Sequence, residues 1–250
     1  MRAQALLSWE QEARALARLG LQDGMSILEL GCGPGFITEH LLDMFPNSPV
    51  TALEIDPGLL RKAEQYLQGK ADGRLRFVEA SIQETGLPDN TVDFAIARLI
   101  FQHLPDPLGA AKEVLRIVKS GGKLAIIDID DGIFGLIDPP IPELPAVLEK
   151  YGQAQALRGG NRLVGRRLWR ILKTAGFENV EMEAVVTHSD ALGIEPFLPQ
   201  IDPDRLLPLV KAGLISQQEL ESARVSRDTF LASPEPFILL LMLLVCGAKA

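Results

Sequence analysis

The chain has 250 residues with ordinary globular composition, 47% hydrophobic and 23% charged, which is enough for one large α/β domain. Its formal net charge of −8 disfavours a nucleic-acid partner, because a polyanion would be repelled on average. Cys32 and Cys246 lie too far apart in sequence to suggest a disulfide framework or zinc spacing. The three histidines do not cluster, so no metal site is predicted.

Neither end of the chain suggests a membrane. The first 19 residues are too charged for a secretory signal, and the longest apolar run, 237–246, is about half the length of a membrane-spanning helix. We therefore expect a cytoplasmic protein without a membrane partner.

From Ser26 onward, apolar β-type runs alternate with amphipathic helical segments. This alternation predicts a doubly wound α/β fold, with a parallel sheet and helices on both faces. The predicted strands are 26–30, 49–54, 74–79, 92–97, 123–130, 179–187 and 237–246, and the predicted helices are 36–45, 59–67, 107–122 and 165–177.

The alternation breaks twice, in segments 131–164 and 190–235, which are rich in Leu, Ile and Pro. We interpret both as insertions into a single domain that spans residues 1–250. The second insertion contains a capping box, Ser216 with Glu219, that predicts a helix start. Because the insertion separates the last two strands, the seventh strand is free to enter the sheet antiparallel.

The turn after the first strand, LELGCGPG at 28–35, has an acid followed by three alternating glycines. A phosphate-binding P-loop would need Lys-Ser or Lys-Thr after the last glycine, where this chain has Phe36 and Ile37. A dinucleotide fingerprint, G-x-G-x-x-G, would need its third glycine at position 36. A zwitterionic nucleoside without phosphate is the third interpretation.

Charge favours that third interpretation. Glu29 would repel a pyrophosphate but attract an amino group and a sulfonium, both of which S-adenosylmethionine carries. The glycines permit close approach of the ligand, and the helix that follows offers free N–H groups to its carboxylate. Glu54, at the end of the second strand, has the spacing of an acid that binds ribose. Asp56 is the alternative, although its place before Pro57 suits a helix N-cap.

Taken with ALEID at 52–56, FVEASI at 77–82, FQHL at 101–104 and LRIVKSGGKLAIID at 115–128, this turn resembles the class I S-adenosylmethionine-dependent methyltransferases. The resemblance covers about residues 20–130 and implies a seven-stranded Rossmann-like sheet whose last strand is antiparallel.

The resemblance also implies a cofactor site. In that site Glu29, Gly31 and Gly33 line the methionine end, Glu54 binds ribose, and Ile55 and Ile82 contact adenine. The predicted cofactor-binding residues are Glu29, Gly31, Cys32, Gly33, Gly35, Glu54, Ile55, Ser81, Ile82 and Arg98. Ser81 departs from the pattern, because the family usually has an acid there.

Candidates for a proton acceptor follow the fourth, fifth and sixth strands: His103, Asp128, Asp130 and His188. Each also has a structural interpretation, as a helix-start histidine or as turn chemistry in the Asp-Asp-Gly sequence at 130–132. The arginines between 158 and 170 suit either an acidic small molecule or a solvated helix face.

The two insertions predict a partly apolar lid, and therefore a small, fairly apolar methyl acceptor. Three other functions stay open: an NAD-dependent oxidoreductase, a non-catalytic S-adenosylmethionine-binding regulatory or assembly protein, and an RNA methyltransferase, which the net charge disfavours. A homodimer is a further open expectation.

Overall fold

The computed structural model describes residues 6–70 and 73–250. Within these ranges the strands are β1 Ile27–Leu30, β2 Val50–Glu54, β3 Leu75–Glu79, β4 Val92–Arg98, β5 Val118–Asp128, β6 Gly135–Asp138, β7 Glu178–His188 and β8 Phe237–Ala248. They form one eight-stranded sheet in the order β3-β2-β1-β4-β5-β8-β6, and β7 also pairs with β8. The helices are α1 Trp9–Arg18, α2 Phe36–Met44, α3 Pro57–Tyr66, α4 Pro107–Ile117, α5 Leu144–Ala156, α6 Leu168–Ala175, α7 Ser189–Leu192, α8 Leu198–Ile201, α9 Leu207–Lys211 and α10 Gln217–Leu231.

The first five strands pair in parallel, and apolar side chains cover both faces of the sheet. One large buried cluster includes residues of α4 and α6, and the other includes residues of α1 and α2. All four residues of β1 are buried, which is the expected burial of a central parallel strand. This arrangement confirms the predicted doubly wound fold and brings the carboxyl ends of β1, β2 and β4 to one edge.

Strand β8 is the long apolar run near the C-terminus, and it is antiparallel to β5, as the resemblance implied. It lies between β5 and β7 rather than at the edge of the sheet. Beside the seven predicted strands the described chain has one short strand more, β6, which forms within the first insertion and pairs with the first residues of β8. Its four residues are too short to give a clear alternating pattern.

The helix predicted at 107–122 was too long at its C-terminal end. Helix α4 ends at Ile117, and Val118 is already extended, with ψ of 145°. The glycine pair at 121–122 does not cap this helix. It belongs to an irregular stretch of β5, where the register with β4 jumps between the pairs Val92–Val118 and Phe94–Lys123.

The two insertions pack on one another. Phe197 and Phe230 of the second insertion share a buried cluster with Ile137 and Ile141 of the first. A second buried cluster around Leu220 has Val147, Tyr151 and Ala154 of α5 packed against it. The predicted capping box is present, since Ser216 accepts from the Glu219 N–H while Glu219 accepts from Ser216 N–H. No helix of the described chain is long and apolar enough to cross a membrane.

Candidate functional site

The glycine turn is tied to the neighbouring strand by backbone hydrogen bonds. The N–H groups of Gly31 and Cys32 both donate to the Leu53 carbonyl, at 2.7 and 3.0 Å. Gly31 has φ of +73°, and a Cβ added there would lie 2.2 Å from Cδ1 of Ile100. Gly33 has φ of +54°, but a Cβ there would have no heavy atom within 4 Å. Glycine is therefore needed at Gly31 for packing, whereas the space beside Gly33 is open to a ligand.

Glu29 presents a buried carboxyl group beside this turn. It is 4% exposed, and Thr38 of α2 donates a hydrogen bond to its Oε2. No other side-chain hydrogen bond to Glu29 forms within the part of the chain that the structure describes. Burial raises the pKa of Glu29 to about 7, against the lowering effect of the Thr38 hydrogen bond and of the nearby Arg98 charge. A cationic ligand group would restore the charged form.

Glu54 is held at the end of β2 by backbone N–H groups. Its Oε2 accepts from Gly33 at 2.9 Å, and its Oε1 accepts from Ile55 and Asp56 at 2.9 and 3.0 Å. Asp56 is the N-cap of α3 and accepts from Gly58 and Leu59. The capping bonds give Asp56 the structural role foreseen for it and leave Glu54 as the acid facing the turn.

The predicted adenine contacts differ in exposure. The Ile55 side chain is 66% exposed, which is unusual for a large apolar residue and leaves a surface for a flat ring. Ile82 is buried, and the Ser81 hydroxyl accepts from Gln83 N–H at 3.1 Å. The open space beside Gly33, the buried acid Glu29 and this apolar surface fit a cationic nucleoside.

The Cys32 side chain is buried within the glycine turn. Burial raises the pKa of its thiol well above the ordinary value, and the charges of Glu29 and Glu54 raise it further. The thiol therefore stays protonated and has no nucleophilic role in this environment.

Arg98 makes a different contact from the expected one. It was predicted to bind the cofactor, but its guanidinium forms a two-point ion pair with Glu12 of α1, at 2.7 and 3.0 Å, and donates to Ser8. The Arg98 side chain is 9% exposed, and that of Glu12 is fully buried. Arg98 thus fastens α1 to the end of β4, and its cofactor contact stays a prediction.

A cavity begins where the glycine turn ends. We call it the outer cavity; its volume is about 380 Å³. It runs from the turn and from Leu7 and Ser8, just before α1, to both insertions. Leu99, at its wall, has φ of +58°, a strained conformation typical of functional sites. Its lining residues are Leu7, Ser8, Pro34, Phe36, Arg98, Leu99, Gln102, Ile129, Phe134, Arg162, Val185, Thr187, Gln200, Arg205, Leu240, Leu241 and Met242.

A smaller inner cavity of about 110 Å³ lies further under the insertions. Five residues line both cavities, so the two adjoin at that point: Ile129, Phe134, Arg162, Gln200 and Arg205. Arg162, one of the predicted basic residues, is held by Asp131 through two hydrogen bonds, at 2.5 and 3.0 Å.

The two candidate aspartates after β5 are engaged by their neighbours. Asp128 is fully buried and accepts from the N–H groups of Gln102 and Ile129, at 3.0 and 2.8 Å. Burial raises its pKa to about 7 although these N–H donors lower it. Asp130 accepts from the Arg166 guanidinium and from Gly132 N–H, and these bonds hold its pKa below the ordinary value in spite of its burial.

The two candidate histidines lie away from the lining of the outer cavity. His103 is exposed; partial desolvation of its ring and the charge of Arg162 lower its pKa. His188 ends β7, opposite Leu239, with its ring 6.1 Å from that of Phe237. The four predicted proton acceptors, His103, His188, Asp128 and Asp130, therefore do not line this cavity.

Sequence reasoning missed most of the outer cavity. Gln200 and Arg205 had no motif to mark them, and neither had Thr38 of the donor site. The alternation of strands and helices does place Gln102 after β4 at the ligand edge of the sheet, so this one residue could have been predicted from the sequence. Arg205 lies in an insertion without regular pattern, and only the folded chain brings it to the cavity.

The strand order, the glycine turn and the two acids after β1 and β2 define a Rossmann-like nucleoside-binding α/β protein. The sequence profile described as "Methyltransferase domain" matches residues 28–126. Residues 28–126 therefore form a methyltransferase domain, which agrees with the resemblance to the class I S-adenosylmethionine-dependent methyltransferases and with S-adenosylmethionine as the predicted cofactor.

Curated relatives agree with this family. Trans-aconitate 2-methyltransferase from Methylobacterium radiotolerans is 26% identical over 246 residues, which covers 90% of each chain. Malonyl-[acyl-carrier protein] O-methyltransferase from Paenibacillus sp. JDR-2 is 28% identical, but the match covers 62% of this chain and only 55% of that protein.

Solved structures share the fold. Phosphoethanolamine N-methyltransferase 2 from Haemonchus contortus, in complex with S-adenosyl-L-methionine, superposes with a TM-score of 0.63 at 20% identity, covering 96% of this chain and 52% of that chain. A putative methyltransferase from Bacillus halodurans C-125 gives a TM-score of 0.59 at 16% identity and covers 95% and 97% of the two chains.

Proposed function

We propose that this protein transfers the methyl group of S-adenosylmethionine to a small molecule bound in the outer cavity. The observation that carries the proposal is that the outer cavity adjoins the glycine turn. Pro34 and Phe36 line this cavity, and they belong to the glycine turn and to the start of α2. A ligand bound beside Gly33 would therefore lie at the mouth of the cavity.

The chain's own residues supply the donor site. Glu29 would pair with the ligand's ammonium group, Glu54 would accept from its ribose hydroxyls, and Ile55 would cover its adenine. When bound, the cofactor supplies an activated methyl group on a sulfonium with a neutral leaving group. Most of the acceleration then comes from position and from exclusion of water, which the proposed lid of segments 131–164 and 190–235 would provide.

No proton acceptor is evident in the cavity wall. Among the described residues, no Asp, Glu, His, Lys, Cys or Tyr lines the outer cavity. The acceptor atom must therefore be nucleophilic at neutral pH by itself, or lose its proton to water. The roles proposed from sequence for His103, Asp128, Asp130 and His188 find no support in this wall.

The wall is amphipathic rather than purely apolar. Leu7, Phe36, Phe134 and the strand residues 240–242 form its apolar part, and glutamines and arginines form its polar part. A small, partly apolar acceptor fits this composition. The names of the two relatives describe small-molecule and acyl-carrier substrates for those proteins, which supports a small-molecule acceptor here.

The test is turnover. The protein is incubated with S-adenosylmethionine and a panel of small acids, amines and phenols, and S-adenosylhomocysteine and methylated product are quantified by mass spectrometry, with Gly33→Ala as the control. We expect product with at least one acceptor. Tight S-adenosylmethionine binding without turnover of the panel would favour the non-catalytic alternative, whereas NADH binding without S-adenosylmethionine binding would favour an oxidoreductase.

RNA is tested as a further substrate in the same assay. Methylation of RNA in preference to the small molecules would contradict the proposal. Arrangement as one domain, location in the cytoplasm and assembly as a homodimer stay predictions from the sequence.

A further inference from the structure

The charges around the outer cavity are one-sided. Three arginines, Arg98, Arg162 and Arg205, line it, and within the described residues no carboxylate does. This is unexpected in a chain with a net charge of −8. A cavity wall with only positive side chains attracts an anion.

Two of these arginines are already neutralised. Arg98 is paired with Glu12, and Arg162 is paired with Asp131. Both ion pairs are at least four-fifths buried, so their charges are satisfied within the protein.

Arg205 is different. Its Nη1 donates to the carbonyls of Pro199 and Gln200 and to Oε1 of Gln200, at 3.1 to 3.2 Å. Its Nε and Nη2 have no hydrogen-bond or ion-pair partner among the described residues, and the guanidinium lies 6.0 Å from the centre of the Tyr151 ring. The backbone contacts fix one side of the guanidinium and leave its other donors to a ligand.

The surroundings of Arg205 specify the rest of the ligand. Arg205 stands where the outer and inner cavities adjoin, beside Phe134 and Ile129. Glu143 and Asp202 line only the inner cavity. Asp202 accepts from Asp204 N–H, and Oε2 of Glu143 is packed away from solvent. The anion therefore belongs in the outer cavity, with apolar side chains next to it.

We propose that the methyl acceptor is an organic acid with an aliphatic part, whose carboxylate binds Arg205 while its carbon chain packs on Phe134 and Ile129. This inference rests on the proposed function, because it assigns the acceptor of the same cavity. A carboxylate also suits the wall chemically, since it is ionised at neutral pH: one of its oxygens would form the O–CH3 bond as the S–CH3 bond of S-adenosylmethionine breaks, giving a methyl ester and neutral S-adenosylhomocysteine with no proton to remove.

The test compares an acid with its neutral amide. Octanoate and octanamide are titrated by calorimetry into the full-length protein, with and without S-adenosylhomocysteine. We expect octanoate to bind roughly tenfold more tightly than octanamide, the effect of a hydrogen-bonded charge. Arg205→Gln should remove this preference. Arg158→Gln, a change at an exposed arginine of the other insertion outside both cavities, should retain it.

A salt titration of the wild-type protein checks the result without any substitution, because potassium chloride should weaken octanoate binding and leave octanamide binding unchanged. Equal affinity for acid and amide, or a preference that survives Arg205→Gln, would overturn the inference. If the wild-type protein did not bind S-adenosylhomocysteine, the proposed function would be contradicted instead. The comparison of octanoate with octanamide without S-adenosylhomocysteine would still test the inference about Arg205.

Discussion

The donor site and the outer cavity are built in different ways. The donor site is a short run of chain after β1 and another after β2, and backbone N–H groups position both the turn and the Glu54 carboxylate. Side chains from the segment before α1, the strands and both insertions form the outer cavity instead. A site made from backbone geometry tolerates few changes, whereas a wall made from side chains can change its ligand by single substitutions.

Arg98 stands between the two regions, and its ion pair gives the largest expected effect. Removing Glu12 would leave a buried guanidinium without its partner, so Glu12→Ala should lower the free energy of unfolding by about 3–5 kcal/mol. Urea denaturation monitored by circular dichroism measures the change.

Glu10 provides the matched control on the same helix. Its ion pair with Arg14 is nearly 80% exposed on both sides, so Glu10→Ala should change stability by less than about 0.5 kcal/mol. If Glu12→Ala proved as mild as Glu10→Ala, the ion pair would not be what holds Arg98. A ligand-binding role for Arg98 would then regain support.

Gly33→Ala tests whether the open space beside the turn belongs to the cofactor. An added Cβ at Gly33 meets no protein atom, so it should cost only the strain of a positive φ, about 1 kcal/mol of stability. It would fill the space of a bound nucleoside, so we expect S-adenosylmethionine affinity to fall by roughly 100-fold.

Gly24 is the matched control, with φ of +89° and no heavy atom near an added Cβ. Gly24→Ala should cause the same small loss of stability with unchanged affinity by calorimetry. Equal affinities for the two variants would show that the ligand does not approach Gly33.

Much of the donor side could be predicted from sequence, because its signals are local. The order Glu29, glycine turn, Glu54 follows from the alternation of strands and helices, and the N-cap role of Asp56 follows from the proline after it. The outer cavity could not be predicted in this way. Arg205 and Phe134 come together only through packing of the two insertions, and the contact between Arg98 and Glu12 joins residues 86 positions apart.

Glu29 should make cofactor binding depend on pH. With a pKa of about 7 in the free protein, its carboxyl group must lose a proton before it pairs with the ligand's ammonium group. S-adenosylmethionine affinity should therefore rise about tenfold per pH unit below pH 7 and level off above it.

Glu29→Gln should bind more weakly and show no such slope. Calorimetry at several pH values, in two buffers with different ionisation enthalpies, measures both affinity and proton release. A wild-type affinity that is constant between pH 5.5 and 7 would contradict this role of Glu29.

Asp128 should affect stability in the same pH range by a smaller amount. Its pKa is raised to about 7 in the folded protein, above the ordinary value of 3.8, so the folded state binds more protons than the unfolded state between these pH values. The stability that this proton contributes is complete below about pH 4 and is lost as the pH rises through 7. Between pH 5 and 7, the wild-type free energy of unfolding should therefore fall more steeply than that of Asp128→Asn, by up to about 1.4 kcal/mol per pH unit.

Urea denaturation at each pH measures the slopes, and Asp43→Asn, at an exposed aspartate, should keep the wild-type slope. Identical slopes for Asp128→Asn and the wild type would mean that Asp128 is already ionised in its buried place.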